Sequence, residues 1–171
     1  MACTGSLSIF LKILNIESKG NWIEEEKLID KIAEEVAEFL KNESYIDENP
    51  YSYYAWFNLG ISYNRLGLYE KAVDAYDYAI AIKDNFSSAY FNKANSLAQQ
   101  EKYLEAIAVY KETFKHEEPD ANTYYYIGEC YENLTQYDEA LVNYNRAIKL
   151  DPAAADAWLG VGIVLDYQNR I

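Results

Sequence analysis

Large rings, small residues and aliphatic side chains recur along this chain at a fixed spacing of 34 positions. Each period contains two patterns in which apolar residues return every three or four positions, the spacing of one face of an α-helix. A fixed period of this length predicts a stack of helical hairpins. The aligned columns are Trp56, Tyr90, Tyr124 and Trp158; Gly60, Ala94, Gly128 and Gly162; Ala72, Ala106 and Ala140; and Tyr76, Tyr110 and Tyr144.

Turn residues separate the two helices of each period. Gly67 can adopt the left-handed conformation that ends a helix, and Asp151 with Pro152 ends the second helix of the third period. The small residues let helix backbones approach closely, and the large rings fill the space beside them. A single hairpin cannot bury its apolar faces, so neighbours must stack. We therefore expect an array over 53–171, with units at 53–86, 87–120 and 121–154 and a half unit at 155–171.

The columns W/Y-x-x-L-G/A-x-x-Y, A-x-x-x-Y-x-x-A and D-P run from Tyr53 to Ile171 and resemble the tetratricopeptide repeat family. The resemblance implies an all-α fold, a right-handed α-α superhelix of antiparallel helix pairs whose first helices line a concave surface. Two residues of the second unit depart from the pattern. Lys93 stands at a position that is apolar in the repeat, and Thr113 stands at a position that is occupied by a small residue. We expect Lys93 to bury its stem and to extend its amine to water.

The two ends of the chain differ from the repeats. Residues 1–6 carry no helical pattern, and we assign them to a leader that is disordered or foreign to the natural protein. An apolar stripe within 7–50 predicts an N-terminal amphipathic helical hairpin, either a cap on the first repeat or a degenerate repeat. The half unit at 155–171 leaves one apolar helix face uncovered, from which we expect either a longer protein or self-association through this open end.

The formal net charge of -13 narrows the range of partners. A strongly negative field repels phosphate backbones and anionic headgroups, so we expect neither nucleic acid nor a membrane surface as a partner. The apolar stretch from Leu7 to Ile16 is too short to span a bilayer and lacks a cleavage signal. A basic or neutral, aromatic-rich peptide suits this field better.

No constellation in the sequence predicts catalysis, a metal site or a cofactor. Cys3 and Cys130 match no metal or redox spacing, which fits a reducing, cytoplasmic location. Gly160-Val161-Gly162 lacks the third glycine of a dinucleotide site. His116 is the only histidine, and we expect it to face solvent, whereas Cys130 should be a packed small side chain. We therefore predict that the chain is not an enzyme.

The buried columns of the first helices place another set of residues one step further round each helix, towards the concavity. Rings in this set offer stiff contact area, and amides can pair with the backbone of an extended ligand. The alternative is that the rings pack against neighbouring helices or an adjoining domain. The predicted binding surface is Phe57, Asn58, Ile61, Asn64, Phe91, Asn92, Asn95, Tyr125, Glu129, Glu132 and Leu159.

We interpret the chain as a scaffold that binds an extended peptide or a helix of a partner protein in this groove. Carboxylates gather in the third and fourth units, so the predicted ligand has an apolar part and a basic part. Family members that clamp the terminal carboxylate of chaperone tails use lysine, arginine and asparagine, and of the equivalent residues here only Asn92 agrees. The alternative function is a regulatory or substrate-docking segment of a larger enzyme or signalling protein whose catalytic domain lies outside this segment.

Overall fold

A computed structural model describes residues 38, 41–42 and 44–169 of the chain. Within those residues it contains helices and no strand, which confirms the all-α solenoid of antiparallel helix pairs expected from the period. The predicted leader at 1–6 and most of the predicted hairpin at 7–50 lie outside the described residues. The helices are α1 (Tyr53–Arg65), α2 (Tyr69–Ile82), α3 (Ser87–Gln99), α4 (Tyr103–Thr113), α5 (Ala121–Asn133), α6 (Tyr137–Leu150) and α7 (Ala155–Asn169).

A short helical stretch at 44–48 precedes the first repeat. Ile46 in this stretch is buried together with Ala55 and Leu59 of α1. The Asn42 side chain donates a hydrogen bond to the Ser62 hydroxyl at 2.9 Å. The described part of the segment 7–50 therefore covers an apolar face of α1.

Polar side chains begin two of the first helices. The Ser52 hydroxyl accepts a hydrogen bond from the backbone N–H of Ala55 at 3.3 Å. The Asp120 carboxylate accepts one from the backbone N–H of Thr123 at 2.6 Å. Such caps satisfy N–H groups that have no partner within the helix. They fix where α1 and α5 begin.

The turn inside each unit uses a left-handed residue at one repeat position. Gly67, Glu101 and Thr135 have φ angles of 72, 61 and 59°. In each unit the backbone N–H of the residue after this position donates a hydrogen bond to a carbonyl near the end of the first helix. In the first unit Leu68 donates to the Tyr63 carbonyl at 2.9 Å. This hydrogen bond satisfies a carbonyl at the helix end. It offsets the conformational cost at Glu101 and Thr135, whose side chains disfavour left-handed backbone.

Each complete unit buries one tyrosine ring in the space left by a small residue. Tyr76, Tyr110 and Tyr144 are at most 1 % exposed. A Cβ added at Gly60 would lie 2.5 Å from the Tyr76 ring, and one added at Gly128 would lie 2.7 Å from the Tyr144 ring. These distances are shorter than van der Waals contact, so the glycine and tyrosine columns of the sequence have a common steric cause.

The two departures from the repeat pattern are accommodated by polar contacts. The Lys93 side chain is 21 % exposed, and its Nζ lies 2.6 Å from Oδ1 of Asp77 on α2. Its stem is thus largely buried, as expected, while its amine forms an ion pair at the surface. Thr113 is buried, and its hydroxyl donates to the Tyr110 carbonyl at 2.7 Å.

The helices pack in an order that repeats from unit to unit. The second helices α2, α4 and α6 each pack between the first helix of their own unit and that of the next. First helices also approach one another directly, α1 with α3 and α5 with α7. The first helices α1, α3, α5 and α7 carry the predicted groove residues.

Candidate functional site

Three rings of the predicted surface occupy the equivalent position of α1, α3 and α5, with Leu159 at that position of α7, and we call this set the ladder. Each ring packs against the buried tyrosine of its own unit and stays partly exposed. Leu159 is 63 % exposed. The ring centroids are 5.8 Å apart for Phe57 and Tyr76, 5.6 Å apart for Phe91 and Tyr110, and 5.8 Å apart for Tyr125 and Tyr144.

Two rings of the ladder also contact a residue at the next first helix, since Phe86 directly precedes α3 and Tyr126 lies on α5. Phe57 lies 4.9 Å from the Phe86 ring, and Phe91 lies 5.6 Å from the Tyr126 ring, both nearly edge to face. The rings therefore pack between helices and also present a partly exposed edge to the groove. A side chain that is already held in place loses little conformational entropy when a ligand binds to it.

The hydroxyl groups of the three buried tyrosines meet different residues of the predicted surface. Tyr110 donates to the side-chain oxygen of Asn95. Tyr144 donates to Oε2 of Glu132 at 2.6 Å. Among the described residues, the hydroxyl of Tyr76 has no hydrogen-bond partner, although it is buried. The sequence did not predict these contacts, because it identified the tyrosines only as packing residues.

Burial raises the pKa of all three hydroxyls. The pKa of Tyr76 rises to about 12, and the neighbouring Asn64 amide and Arg65 charge offset part of the effect of burial. The pKa of Tyr144 rises further, because its hydroxyl donates to the charged Glu132. The three hydroxyls therefore stay protonated at physiological pH.

Carboxylates from two helices gather at the end of the groove formed by α5 and α7. The pKa of Glu129 is raised by partial burial and by the nearby charges of Glu132 and Asp156. Burial and the same three carboxylates raise the pKa of Tyr125 to about 12. The ion pairs found within the described part of the chain lie elsewhere: Arg65 with Glu38, Lys93 with Asp77, and Lys115 with Glu112.

The other predicted groove residues contribute unequally. Asn58 is exposed and Ile61 is partly buried. The Asn92 side chain donates to the Ser88 carbonyl of its own helix at 2.8 Å. One of the two N–H bonds that Asn92 could offer to a ligand is therefore already used.

Two clefts lie where α3 meets α5. The cleft at the start of these helices has a volume of about 210 Å³, and that at their end about 260 Å³. Turn residues form part of both walls, which is why the period in the sequence did not reveal them. The first is lined by Ser88, Phe91, Asn92, Thr113, Glu117, Asp120, Asn122 and Thr123, and the second by Ala98, Gln99, Glu101, Tyr103, Glu129, Cys130 and Asn133.

The two residues with potential chemistry are used in packing and stacking. His116 is exposed, and its ring stacks on that of Tyr90 at 5.3 Å. Cys130 is buried, and burial raises its pKa to about 12, so its thiol stays protonated. Across residues 44–169, no three His, Cys, Asp or Glu side chains are placed to hold a metal ion. No described helix has the length and apolar character needed to cross a membrane.

The helix pairs, their equivalent turns and the buried tyrosine column define a helical-repeat solenoid, in which stacked units create an extended inner surface. One tetratricopeptide repeat model matches residues 53–86 and 121–153, and a second matches residues 87–114. Together these matches cover more than half of the chain. The chain therefore belongs to the tetratricopeptide repeat family.

Known proteins share parts of this chain or its fold. Human protein O-mannosyl-transferase TMTC3 is 27 % identical over 103 residues, a match that covers 60 % of this chain and 11 % of that protein. MamA 41-end from Desulfovibrio magneticus RS-1 aligns with a TM-score of 0.74 at 18 % identity, covering 86 % of this chain and 84 % of that one. The first TPR of Spaghetti (RPAP3) was solved bound to the HSP90 peptide SRMEEVD. It aligns with a TM-score of 0.65 at 18 % identity, covering 68 % of this chain and 93 % of that one. At these identities the two structures establish the fold alone.

Proposed function

We propose that this chain is a protein-interaction scaffold whose inner surface binds an extended segment of a partner protein. The observation that carries the proposal is the ladder of partly exposed rings, Phe57, Phe91 and Tyr125, each held by a buried tyrosine. Rings fixed in this way offer apolar contact area at a low entropic cost. Membership of the repeat family and the fold shared with a peptide-bound domain support the proposal.

The charges along the groove support a ligand with an apolar part and a basic part. The α1 end carries Phe57, Ile61 and Asn64, which are uncharged. The α5 and α7 end carries Glu129, Glu132 and Asp156, and burial and then repulsion by the other two carboxylates raise the pKa of Glu129. A cationic side chain placed there relieves this repulsion, because complementary charges favour binding. The basic part of the ligand therefore lies against α5 and α7.

The same charges disfavour acidic peptides. The RPAP3 domain of similar fold was solved with the peptide SRMEEVD, which has more acidic than basic residues. In the present chain, carboxylates occupy the inner surface at α5 and α7, and juxtaposed like charges cost several kcal/mol in an interface. Titration of SRMEEVD should therefore give no saturable binding, and a tight complex would contradict the charge-based part of the proposal.

Affinity capture with two matched triple variants tests the proposal. Capture from native lysate with the unmodified chain should recover partners that the groove variant Phe57→Ala, Phe91→Ala, Tyr125→Ala loses. The control variant Ile82→Ala, Leu104→Ala, Val142→Ala removes exposed apolar side chains from the second helices and should retain them. Circular dichroism and thermal melting establish that both variants fold. If the folded groove variant captures the same partners as the unmodified chain, the inner surface is not the binding site.

A second candidate function is the docking segment of a larger enzyme, favoured by the match to 103 residues of human O-mannosyl-transferase TMTC3. In that case the groove would bring a substrate or a regulator to a catalytic domain on the same polypeptide. An antibody raised against this chain should then detect, in native extract, a polypeptide much larger than 19.8 kDa. Detection of a polypeptide of that mass alone would remove this candidate.

A further inference from the structure

One of the two clefts between α3 and α5 reaches a ring of the ladder, and we call it the Phe91 cleft. It lies where α3 and α5 begin and has a volume of about 210 Å³. Phe91 forms part of its wall, and the rings of Tyr110 and Tyr126 hold the Phe91 ring from centroid distances of 5.6 Å. The cleft is therefore continuous with the proposed binding surface, and one part of its wall is an aromatic ring that is already fixed in place.

The other walls of the Phe91 cleft carry two carboxylates. Asp120 directly precedes α5, and its carboxylate accepts a hydrogen bond from the backbone N–H of Thr123 at 2.6 Å. This contact offsets the partial positive charge at the start of the helix. Glu117 lies in the exposed turn after α4, and its carboxylate forms no ion pair or hydrogen bond within the described part of the chain. None of the described residues that line the cleft is cationic.

Uncharged polar groups of the Phe91 cleft also lack hydrogen-bond donors. The Asn92 amide already donates to the Ser88 carbonyl at 2.8 Å, so its side-chain oxygen is left to accept. Thr123 lines the cleft and is 3 % exposed, and its hydroxyl has no hydrogen-bond partner among the described residues. A buried polar group without a partner costs free energy. The cleft therefore suits a ligand group that donates several hydrogen bonds.

An organic cation fits this cleft better than a phosphate group or a metal ion. The carboxylates of Glu117 and Asp120 repel a phosphate. Calcium takes about six to eight oxygen ligands, and no three Asp, Glu, His or Cys side chains of the described residues are placed to hold a metal ion. The Phe91 ring in the wall offers an organic cation both apolar contact and a cation–π attraction.

We propose that the Phe91 cleft binds an arginine side chain of the partner segment that lies along the ladder. This assignment rests on the proposed function, because the segment must lie on the ladder for its side chain to enter the cleft. Arginine fits better than lysine, since its planar group packs on a ring while its N–H groups donate to acceptors from α3, α5 and the turn before α5. The basic part of the ligand thus includes an arginine at the cleft between α3 and α5.

Titration of the 171-residue chain with N-acetyl-arginine methylamide, followed by NMR of the backbone amides, tests the proposal without a partner protein. N-acetyl-citrulline methylamide is the control ligand, because it has nearly the same shape and no charge. We expect saturable shifts at the amides that surround the cleft, and binding of the citrulline compound at least about tenfold weaker, since charged groups form the stronger hydrogen bonds. Shifts that do not saturate, or equal binding of the two compounds, overturn the proposal.

Two matched double variants place the arginine compound in the cleft. Glu117→Gln, Asp120→Asn removes both charges and keeps the fold, because asparagine also begins helices well. It should bind the compound at least about tenfold more weakly. The control Glu105→Gln, Glu118→Gln changes the net charge equally at exposed carboxylates that do not line the cleft, and should bind normally. Circular dichroism establishes that both variants fold, and equal binding by the two overturns the proposal.

The variant Phe57→Ala, Tyr125→Ala separates the cleft from the proposed function. It removes two ladder rings that do not line the cleft, so it should bind the arginine compound normally while its capture of partner proteins falls. Capture that depends on the ladder, without binding of the compound at the cleft, overturns this proposal and leaves the proposed function intact. Binding of the compound at the cleft, with capture that does not depend on the ladder, supports the arginine site and contradicts the proposed function.

Discussion

The first and third repeats bury the same tyrosine in the same place but surround its hydroxyl differently. Tyr76 lies over Gly60 and Tyr144 over Gly128, with closely similar spacing. The Tyr144 hydroxyl donates to Glu132 at 2.6 Å, whereas the Tyr76 hydroxyl has no hydrogen-bond partner among the described residues. The repeat therefore fixes the ring and leaves the chemistry around the hydroxyl free to vary.

This difference separates the residues that make the solenoid from those that define its surface. The glycine and tyrosine columns recur because backbone and ring occupy one confined space. The residues beside the hydroxyls, Asn64, Asn95 and Glu132, belong to the proposed binding surface and obey no such steric limit. The chain can therefore keep one fold while the proposed binding surface changes from uncharged at α1 to acidic at α5 and α7.

The largest expected effect concerns the feature that the two repeats share. Gly60→Ala and Gly128→Ala each place a Cβ within 2.7 Å of a buried ring, so each should lower the free energy of unfolding by about 2 kcal/mol. Gly162→Ala, with no neighbouring atom within 4 Å, should stabilise the chain by about 0.5 kcal/mol through helix propensity. Urea unfolding measures all three. If Gly60→Ala or Gly128→Ala is as stable as Gly162→Ala, the columns do not have a steric cause.

The second-largest expected effect is a difference in stability between the variants that remove the Tyr144 and the Tyr76 hydroxyl. Tyr144→Phe removes a hydrogen bond to a carboxylate and should cost about 1.5 kcal/mol. The Tyr76 hydroxyl makes no hydrogen bond of good geometry and has only the neighbouring Asn64 amide beside it, so Tyr76→Phe should leave stability unchanged or raise it by up to about 1 kcal/mol. Both variants keep the ring, which makes each the control of the other in urea unfolding. Equal losses would show that the two hydroxyls have equivalent surroundings.

The turns provide a smaller contrast between the same two repeats. Gly67 and Thr135 share a repeat position and have φ angles of 72 and 59°. Threonine is strained there, so Thr135→Gly should raise the free energy of unfolding by about 1 kcal/mol. Gly67→Thr should lower it by a similar amount. Thermal melting of both variants measures the pair, and a destabilised Thr135→Gly variant would show that the threonine side chain makes a compensating contact.

The smallest effect depends on pH. Because the pKa of Glu129 is raised in the folded state, its ionisation destabilises the fold as pH rises above its ordinary value of 4.5. Glu129→Gln cannot ionise and should therefore be more stable than the unmodified chain at pH 7, by less than about 1 kcal/mol for a partly exposed group. The difference should vanish below pH 4.5. A Gln variant that is less stable at pH 7 would indicate a cationic partner for Glu129.

The period in the sequence predicted the solenoid because backbone packing repeats every unit and selects residue size directly. It also placed Phe57, Phe91 and Tyr125 at equivalent positions of the first helices α1, α3 and α5. The hydroxyl partners were not predictable, because Tyr110 with Asn95 and Tyr144 with Glu132 are joined across a turn at different spacings. The left-handed backbone at Glu101 and Thr135 was not predictable either, since neither glutamate nor threonine favours that conformation.

Binding of two peptides that differ only in charge tests the central claim most directly. Both carry the same aromatic segment, followed by three lysines in one peptide and by three glutamates in the other. The lysine peptide should bind at least about tenfold more tightly, with an affinity that falls as salt rises, and the double variant Glu129→Lys, Asp156→Lys should reverse the preference. Equal affinities, or an unchanged preference in the double variant, would contradict a groove that selects its ligand by the acidic end at α5 and α7.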